Sequence, residues 1–428
     1  MVSFILMGGF VLFCALGVPV AVAMITATFA AAWYMDLPLD ALIIKLADGT
    51  NQIPLLAVPL FVLAGAIMAE GGMAARLIAL AKALFGTMKG GLSLVNVGAS
   101  TLFGCISGST VADTASIGSV MIPQMEKEGY PRIYATNVTM AGSLQALILP
   151  PSHNLIIYSL AAGGVISIPA LFLAGIVPGL LMALSLALLC LYIARKHNYP
   201  AGDPFALSRA WKAFKGAFWG LLTMVIIMGG IVSGVFTATE AAGVACLYAF
   251  AITMFVYRDY RWADVHKLLF AVTRTCSAVM LMLAAASAFG YIMALEQIPL
   301  MISQAFLSVS KEPWVFLLLA NIALIILGIF MELTPMLLIC VPIFMPVITE
   351  LGIDPVHFGV VMVLNLGVGL ITPPVGATLF VGCAIGKVSM GEVTRTIWPF
   401  YVALGGALLI VTYVPALSLW LPNLMLGK

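Results

Sequence analysis

The feature that most constrains this chain is a duplicated pattern of interruptions in otherwise apolar sequence. Residues 104–154 and 328–378 carry glycine, proline and small hydroxyl residues in similar order, and each contains a double proline. The double prolines begin at Pro150 and Pro373, 223 positions apart, and other landmarks keep this interval. Paired interruptions of hydrophobic segments are typical of secondary transporters, whose binding site lies there. The pattern therefore predicts that two distant segments share one function.

The composition is that of a membrane protein. Of its 428 residues, 63% are hydrophobic and 8% are charged, whereas soluble domains carry about a quarter charged residues. The apolar segments are long and continuous, unlike the short alternating segments of an outer-membrane barrel. Because each crossing needs about 20 apolar residues, the length predicts roughly ten crossings plus shorter pieces. We therefore expect an all-α polytopic membrane protein.

The repeat divides the chain into two halves, residues 1–200 and 201–428. In each half, one stretch is too long and too polar in its middle for a simple crossing, and we interpret it as a re-entrant hairpin. A later stretch crosses with a break at the double proline, because proline removes a helix donor and clashes with the preceding turn. The hairpins are predicted at about 90–130 and 313–349, and the broken helices at about 132–160 and 356–386.

Five crossings per half place the second half upside down relative to the first, and the charges agree. If the first hairpin opens to the cytoplasm, sixteen lysines and arginines lie inside and three lie outside, as the positive-inside rule requires. Residues 37–52 and 258–275 are interpreted as matching interfacial helices. The polar stretch 195–215 is the predicted loop between the halves, and both termini are predicted outside.

The first hairpin tip reads Ser107-Gly108-Ser109-Thr110, followed by Asp113. Non-helical backbone at membrane depth is tolerated only where it is buried in protein or lines a cavity, and Gly108 permits unusual dihedral angles. Free carbonyls and serine hydroxyls are hard oxygen ligands that suit sodium, and the next helix start favours a carboxylate. Two alternatives stay open: the small residues form a close helix contact, or Asp113 satisfies free N–H groups of a first helical turn.

The two double-proline breaks form the second pair of candidate sites. Loss of helix donors frees carbonyl oxygens near residues 147–149, which we expect to turn inward. Kinks without function, and a neutral hydrogen-bonded ring for the histidine, are the alternatives. The candidate residues are Leu149, Pro150, Pro151, Ser152 and His153 in the first break and Thr372, Pro373, Pro374, Gly376 and Thr378 in the second.

The second hairpin tip places a carboxylate in apolar sequence, at Glu332-Leu333-Thr334-Pro335. An acidic residue inside a membrane is costly and is functional by default. We expect Glu332 to compensate a cation, to titrate, or to anchor the tip by accepting backbone N–H bonds. Glu240, by contrast, is expected to belong to a capping turn that begins at a threonine.

Sequence motifs of enzymes are absent. No GxxxxGK[ST], HExxH or GxSxG occurs, so ATP hydrolysis by a P-loop and hydrolysis by a zinc or serine centre find no support. The seven cysteines are single residues in apolar context, without CxxC or histidine partners at ligand spacing. We therefore expect no catalytic residues, no enzyme activity and no cofactor beyond sodium as a coupling ion.

Seven motifs together resemble the large membrane subunit of the tripartite ATP-independent periplasmic (TRAP) transporters, and they span nearly the whole chain. The motifs are Leu-Gly-Val-Pro-Val at 16–20, Val-Pro-Leu-Phe-Val-Leu-Ala-Gly at 58–65, Ser-Gly-Ser-Thr-Val-Ala-Asp-Thr at 107–114, Leu-Pro-Pro-Ser at 149–152, Leu-Phe-Leu-Ala-Gly-Ile-Val-Pro-Gly at 171–179, Phe-Thr-Ala-Thr-Glu-Ala at 236–241 and Ile-Thr-Pro-Pro-Val-Gly at 371–376.

The resemblance implies an inverted-repeat fold with an elevator mechanism. A transport domain of about residues 88–160 and 312–386 would slide against a scaffold. The implied function is sodium-coupled uptake of an organic acid across the bacterial inner membrane. The implied partners are a periplasmic solute-binding protein and a small four-helix membrane subunit.

The resemblance also assigns sites to the interruptions, with the substrate lying between the two tips. The first sodium site would use Ser107, Gly108 and Ser109 with backbone near Pro150, and the second Glu332, Leu333 and Thr334 with backbone from Thr372 to Gly376.

The identity of the acid stays open. Overall likeness favours sialic acid over C4-dicarboxylates and other keto or sugar acids. The alternative function is a stand-alone sodium/dicarboxylate carrier or ion antiporter of the same superfamily, which would work without a binding protein. A membrane enzyme, a third class, would need a catalytic dyad that the sequence does not offer.

Overall fold

The described part of the chain is almost entirely helical. The computed structural model describes residues 1–201, 204, 206–260 and 262–427. Across these ranges no β-strand occurs, and an isolated antiparallel bridge pairs Lys89 with Ala201. The predicted all-α class is therefore confirmed. Two cations counted in the charge argument, Arg261 and Lys428, lie outside the described residues.

The α-helices of these ranges are numbered in chain order. The first ten are α1 (Val2–Ala15), α2 (Val20–Tyr34), α3 (Leu39–Asp48), α4 (Ala57–Glu70), α5 (Met73–Phe85), α6 (Gly91–Ser107), α7 (Thr110–Lys127), α8 (Arg132–Ser143), α9 (His153–Ala161) and α10 (Ile168–His197). The next eleven are α11 (Leu207–Val232), α12 (Ala238–Ala251), α13 (Val265–Leu295), α14 (Ile298–Val309), α15 (Pro313–Phe330), α16 (Leu333–Glu350), α17 (Pro355–Gly369), α18 (Ala377–Gly386), α19 (Met390–Thr396), α20 (Trp398–Tyr413) and α21 (Ala416–Leu426). Short 3-10 segments occur at Ile53–Leu56, Leu144–Leu147 and Trp262–Asp264, and a π-helical turn at Ile252–Tyr257 continues α12.

The long apolar helices make this a multi-pass membrane protein. Seven helical segments within the described ranges are long and apolar enough to cross a membrane, and the bent pair of α19 and α20 makes an eighth. This is fewer than the roughly ten crossings that the length predicts. Several apolar helices, such as α1 and α2, have only 10–17 residues and are too short to count as spans alone.

Two helical hairpins interrupt the series of spans, as predicted. A two-residue turn separates α6 from α7, and another separates α15 from α16. The second helices of the two hairpins begin at Thr110 and Leu333, 223 residues apart, which is the interval between the sequence landmarks.

Two broken helices follow the hairpins. The first break is longer than its double proline, because α8 already ends at Ser143 and α9 begins at His153. The second break lies between the end of α17 and the start of α18. The Pro150–Pro151 and Pro373–Pro374 bonds are both cis.

The hairpins and broken helices of the two halves interlock. α18 packs against α7 and α8, and α9 packs against α16. The Nε of Arg132 donates to the carbonyl oxygen of Gly386 at 2.5 Å, and the amide of Asn137 donates to the Thr396 hydroxyl at 2.8 Å. The fold is an inverted repeat in which each half completes the packing of the other.

The predicted division between residues 258–275 and a crossing at 276–295 is wrong. α13 runs without a break from Val265 to Leu295. In the first half, Gly49 and Pro54 lie between α3 and α4. The positions 223 residues later are Val272 and Ser277, which do not stop a helix.

The predicted loop at 195–215 is also too long. α10 continues to His197 and ends where Asn198 adopts a left-handed φ of 52°. The basic residues 195–197 suit the negative end of a helix dipole, so they extend α10 and do not end it. α11 already begins at Leu207.

Glu240 has the predicted capping role. Its carboxylate accepts hydrogen bonds from the backbone N–H of Thr237 at 2.8 Å and from the Thr237 hydroxyl at 2.9 Å. The Thr237 hydroxyl in turn accepts from the N–H of Glu240 at 3.3 Å, which completes a capping box at the start of α12.

Gly90, just before α6, packs closely against α10. Substitution of Gly90 tests this contact between the first hairpin and α10. Its φ is +74°, and a Cβ there would collide with the Cβ of Ala194, whereas Gly129 has a φ of +87° and nothing within 4 Å. Alanine at either position costs about 1–2 kcal/mol of backbone strain, and only Gly90→Ala adds about 1–3 kcal/mol of overpacking. We expect Gly90→Ala to lower the midpoint of thermal unfolding in detergent more than Gly129→Ala. Equal shifts would contradict the close contact between α6 and α10.

Candidate functional site

The first hairpin tip is a tight turn in which one side-chain oxygen has no described hydrogen-bond partner. Gly108 adopts a left-handed φ of 60°, which glycine does without steric cost. Ser109 then caps α7, because its hydroxyl accepts the backbone N–H of Ala112 at 3.3 Å. The hydroxyl of Ser107 is buried and has no hydrogen-bond partner in the described part of the chain. Ser107 is therefore better placed than Ser109 to offer an oxygen ligand.

The first tip lies directly against the first break. The amide of Asn154 donates to the carbonyl oxygen of Gly108 at 3.4 Å. A Cβ added to Gly108 would lie 3.2 Å from Nδ1 of His153 and 3.3 Å from the carbonyl oxygen of Pro151. The structure thus brings together the two candidate segments of the first half, with the half-buried imidazole of His153 beside the tip.

The carbonyl groups of the first break do not all turn inward, contrary to the prediction. The carbonyl oxygen of Leu147 accepts the hydroxyl of Ser152. The carbonyl oxygen of Ile148 lies so close to α10 that a Cβ on Gly175 would collide with it. A buried carbonyl without a donor is costly, so a neighbouring hydroxyl or helix covers it. Leu149 and both prolines of this break are buried.

The second break folds back on itself and is held by a distant tyrosine. The N–H of Gly376 donates to the carbonyl oxygen of Thr372 at 3.3 Å. A Cβ on Gly376 would collide with the carbonyl oxygen of Leu370, so the turn requires glycine. The hydroxyl of Tyr401, on α20, donates to the carbonyl oxygen of Ile371 at 2.7 Å. This bond satisfies one of the backbone groups that the break would otherwise leave unpaired.

A pair of threonines joins the first hairpin to the second broken helix. The hydroxyl of Thr378 donates to the hydroxyl of Thr110 at 2.8 Å, and both side chains are buried. Thr110 begins α7 and Thr378 lies in the first turn of α18. The two halves of the predicted site therefore meet through direct side-chain contact.

The second hairpin tip exposes its carboxylate. The side chain of Glu332 is exposed and forms no described hydrogen bond or ion pair, so it does not anchor the tip by accepting N–H bonds. Leu333 and Pro335 are buried in the first turn of α16, and Thr334 is half-buried. Near this tip, a Cβ on Gly369 would lie 2.6 Å from the carbonyl carbon of Gly328, which brings the end of α15 against the second break.

The two halves of the site differ in exposure. The first break is closed, since residues 149–152 are all buried. In the second break Pro374 and Val375 are exposed, Thr372 and Pro373 are half-buried, and Glu332 is exposed on the neighbouring tip. The exposed part of the site, which includes the carboxylate of Glu332, therefore belongs to the second half.

Asp113 does not satisfy the free N–H groups of its helical turn, so that alternative is wrong. Its carboxylate is fully buried, and neither oxygen has a hydrogen-bond partner in the described residues. Ser109 caps the turn instead. The acid therefore lies in the protein interior between the hairpin helices, away from the exposed part of the site.

The sequence analysis did not single out Asn154, Tyr401 and Gly65 as site residues. Asn154 follows the double proline closely, so its position was a usable signal. Tyr401 lies 30 residues from the carbonyl that it holds, and no local pattern marks it. Gly65, on α4, packs against the first tip, where an added Cβ would lie 3.2 Å from the Cα of Ser107.

The chemistry of the site is that of oxygen ligands. Serine and threonine hydroxyls, backbone carbonyls and one exposed carboxylate surround the two tips. The described residues contain no group of three or more His, Cys, Asp or Glu side chains that would hold a metal ion. Such a set suits a hard cation better than a transition metal.

Comparisons with known sequences agree on one family. The family model described as "Tripartite ATP-independent periplasmic transporter, DctM component" matches residues 7–417. An uncharacterized protein, YgiK, of Salmonella typhimurium is 43% identical and covers 98% of this chain and 97% of its own length. The C4-dicarboxylate TRAP transporter large permease DctM of Pseudomonas aeruginosa is 42% identical over 90% of this chain and 89% of its own. The sialic acid large permease SiaM of Vibrio cholerae is 40% identical over the same shares.

Comparison with solved structures gives the same fold. The YdaH transporter of Alcanivorax borkumensis superposes with a TM-score of 0.66, covering 90% of each chain at 16% sequence identity. At this identity the likeness concerns the fold alone.

Proposed function

Because the chain belongs to the TRAP transporter family as a DctM component, the large permease, we propose that it carries an organic acid into the cell together with sodium ions. The observation that carries this proposal is the direct contact of the two interrupted elements through Thr110 and Thr378. This contact brings the first hairpin and the second broken helix together inside a membrane protein, close to the unpaired hydroxyl of Ser107.

The proposed sodium sites lie at the two tips. The uncommitted hydroxyl of Ser107, with the carbonyl of Gly108 and backbone near Pro150, supplies oxygen ligands for the first ion. The side chains of Glu332 and Thr334, with backbone between Thr372 and Gly376, supply those for the second. Sodium binding at each tip would hold hairpin and break together, because the ion replaces hydrogen bonds that neither element can make alone.

The proposed substrate is a carboxylated solute that binds between the tips. The helix starts at Thr110 and Ala377 direct their N–H groups and positive dipole ends toward this region, which favours an anion. Relatives are named for C4-dicarboxylates, for sialic acid and for 2,3-diketo-L-gulonate. For this chain we propose an organic acid of that class, with sialic acid as the first to test.

The proposed mechanism is an elevator movement with two partner proteins. Residues of about 88–160 and 312–386 would move as one transport domain, because side chains such as Thr110, Thr378 and Arg132 link their hairpins and broken helices. The rest of the chain would form the scaffold, braced by a small four-helix membrane subunit. A periplasmic binding protein would deliver the solute.

The proposed location is the bacterial inner membrane with both termini on the periplasmic side. The charge distribution supports this orientation, because most cations fall on the side to which the first hairpin opens.

Reconstitution tests the proposed function. Purified large permease would be assayed in liposomes, with and without a candidate small subunit and binding protein, using radiolabelled sialic acid and C4-dicarboxylates. We expect uptake that needs all three proteins and an inward sodium gradient, and no uptake when potassium replaces sodium. Uptake by the permease alone would favour the stand-alone carrier, and sodium-independent uptake would contradict the proposal.

A matched pair of serine variants tests the first sodium site. Ser107→Ala removes the uncommitted hydroxyl, and we expect the sodium concentration for half-maximal uptake to rise by about five- to tenfold, the loss of one ligand contact. Ser109→Ala removes a helix cap, and we expect about 1 kcal/mol lower stability with a smaller change in sodium dependence. The reverse order in the sodium titrations would show that the capping serine is the ligand.

A further inference from the structure

A second, separate group of uncommitted oxygen atoms lies inside the first hairpin. Both carboxylate oxygens of Asp113 are buried without a hydrogen-bond partner in the described part of the chain. The hydroxyl of Ser100, on the opposite hairpin helix, is also buried without a partner. The two side chains are neighbours, but they do not reach hydrogen-bond geometry.

The surroundings offer no countercharge to Asp113. No ion pair described for this chain involves it. A buried carboxylate that is neither paired nor hydrogen-bonded is among the costliest groups in a protein interior. Either a proton or a cation must therefore neutralise this group.

Gly142, on α8, packs against this pair on the side of Ser100, because a Cβ added to Gly142 would lie 3.4 Å from the Ser100 hydroxyl oxygen. In the second half the position 223 residues after Gly142 is Asn365, whose amide donates to the side-chain oxygen of Asn321 at 2.6 Å.

The second half shows that the fold does not need these polar groups. The positions that match Ser100 and Asp113 are Ala323 and Met336. Met336 is buried near the start of α16, in the same place on its helix as Asp113 on α7. An apolar pair therefore packs well in this setting, and packing alone gives no reason for a carboxylate in the first half.

We propose that Asp113 and Ser100 form a third cation site, enclosed between α6, α7 and α8 and present only in the first half. The site takes a sodium ion, because a carboxylate and a hydroxyl are hard ligands for a small monovalent cation. It is distinct from the tip sites, since Ser107 and the second hairpin contribute nothing to it. The inference rests on the proposed sodium-coupled function. A third site would raise the number of sodium ions transported per substrate molecule by one.

Sodium binding to the purified permease tests this site without transport. Bound ²²Na⁺ at saturation would be counted for the wild type, Asp113→Asn and Ser100→Ala. We expect Asp113→Asn to bind one sodium ion fewer per chain, and Ser100→Ala to need at least about tenfold more sodium for half-saturation of that ion. Ser93→Ala is the matched control, because it removes a buried α6 hydroxyl that receives its hydrogen bond from Tyr134 at 3.1 Å. It should bind as the wild type does.

The outcomes separate this inference from the proposed function. An unchanged sodium count in Asp113→Asn would overturn the third site while leaving the tip sites intact. A wild type that binds no sodium would overturn both proposals. If Asp113→Asn does not fold, the double variant Asp113→Met with Ser100→Ala, which takes the residues of the second half, replaces it and should show the same loss of one ion. In the reconstituted three-protein system, the same variants should lower the number of charges moved per substrate by one.

Discussion

The structure depends on how backbone groups are satisfied where helices stop inside a membrane. Water is scarce at that depth, so each free N–H or C=O must find a protein partner or a bound ion. Here the partners are nearby side chains: Asn154 of the first break donates to Gly108 of the first hairpin, Ser152 donates to Leu147 within the same break, and Tyr401 on α20 donates to the carbonyl of Ile371. These bonds help to fix where the first hairpin and the two broken helices lie, and with them the proposed site.

The two halves share a backbone plan but divide the chemistry between them. The first half encloses its break and carries buried polar groups, including Ser107 and Asp113. The second half exposes Glu332 and part of its break, and the matching interior positions are apolar. The duplicated pattern thus supplies a common backbone frame, and the two halves differ in where their polar groups lie. A site built from two unlike halves can bind an asymmetric solute in one orientation.

Glycine, proline and charge patterns were sufficient to predict most of the fold. The hairpins and broken helices follow from residues that stop helices, and these act locally. The predicted division between residues 258–275 and the crossing at 276–295, and the length of the loop at 195–215, were wrong, because charged residues mark solvent or interface and do not by themselves end a helix. α13 and α11 both continue through such residues. Two of the carbonyls expected to turn inward in the first break, those of Leu147 and Ile148, are instead covered by Ser152 and by α10, and these partners depend on how the break folds.

The central claim is that the first hairpin and the second broken helix touch within the membrane, and cysteine cross-linking measures this most directly. In a chain without its native cysteines, Thr110→Cys and Thr378→Cys would be combined, with a protease site between α10 and α11. The 2.8 Å separation of the native hydroxyls predicts rapid disulfide formation under mild oxidation in native membranes, so that cleaved halves stay joined until reduced. Halves that separate after oxidation and cleavage, as they would with either cysteine alone, would contradict the account.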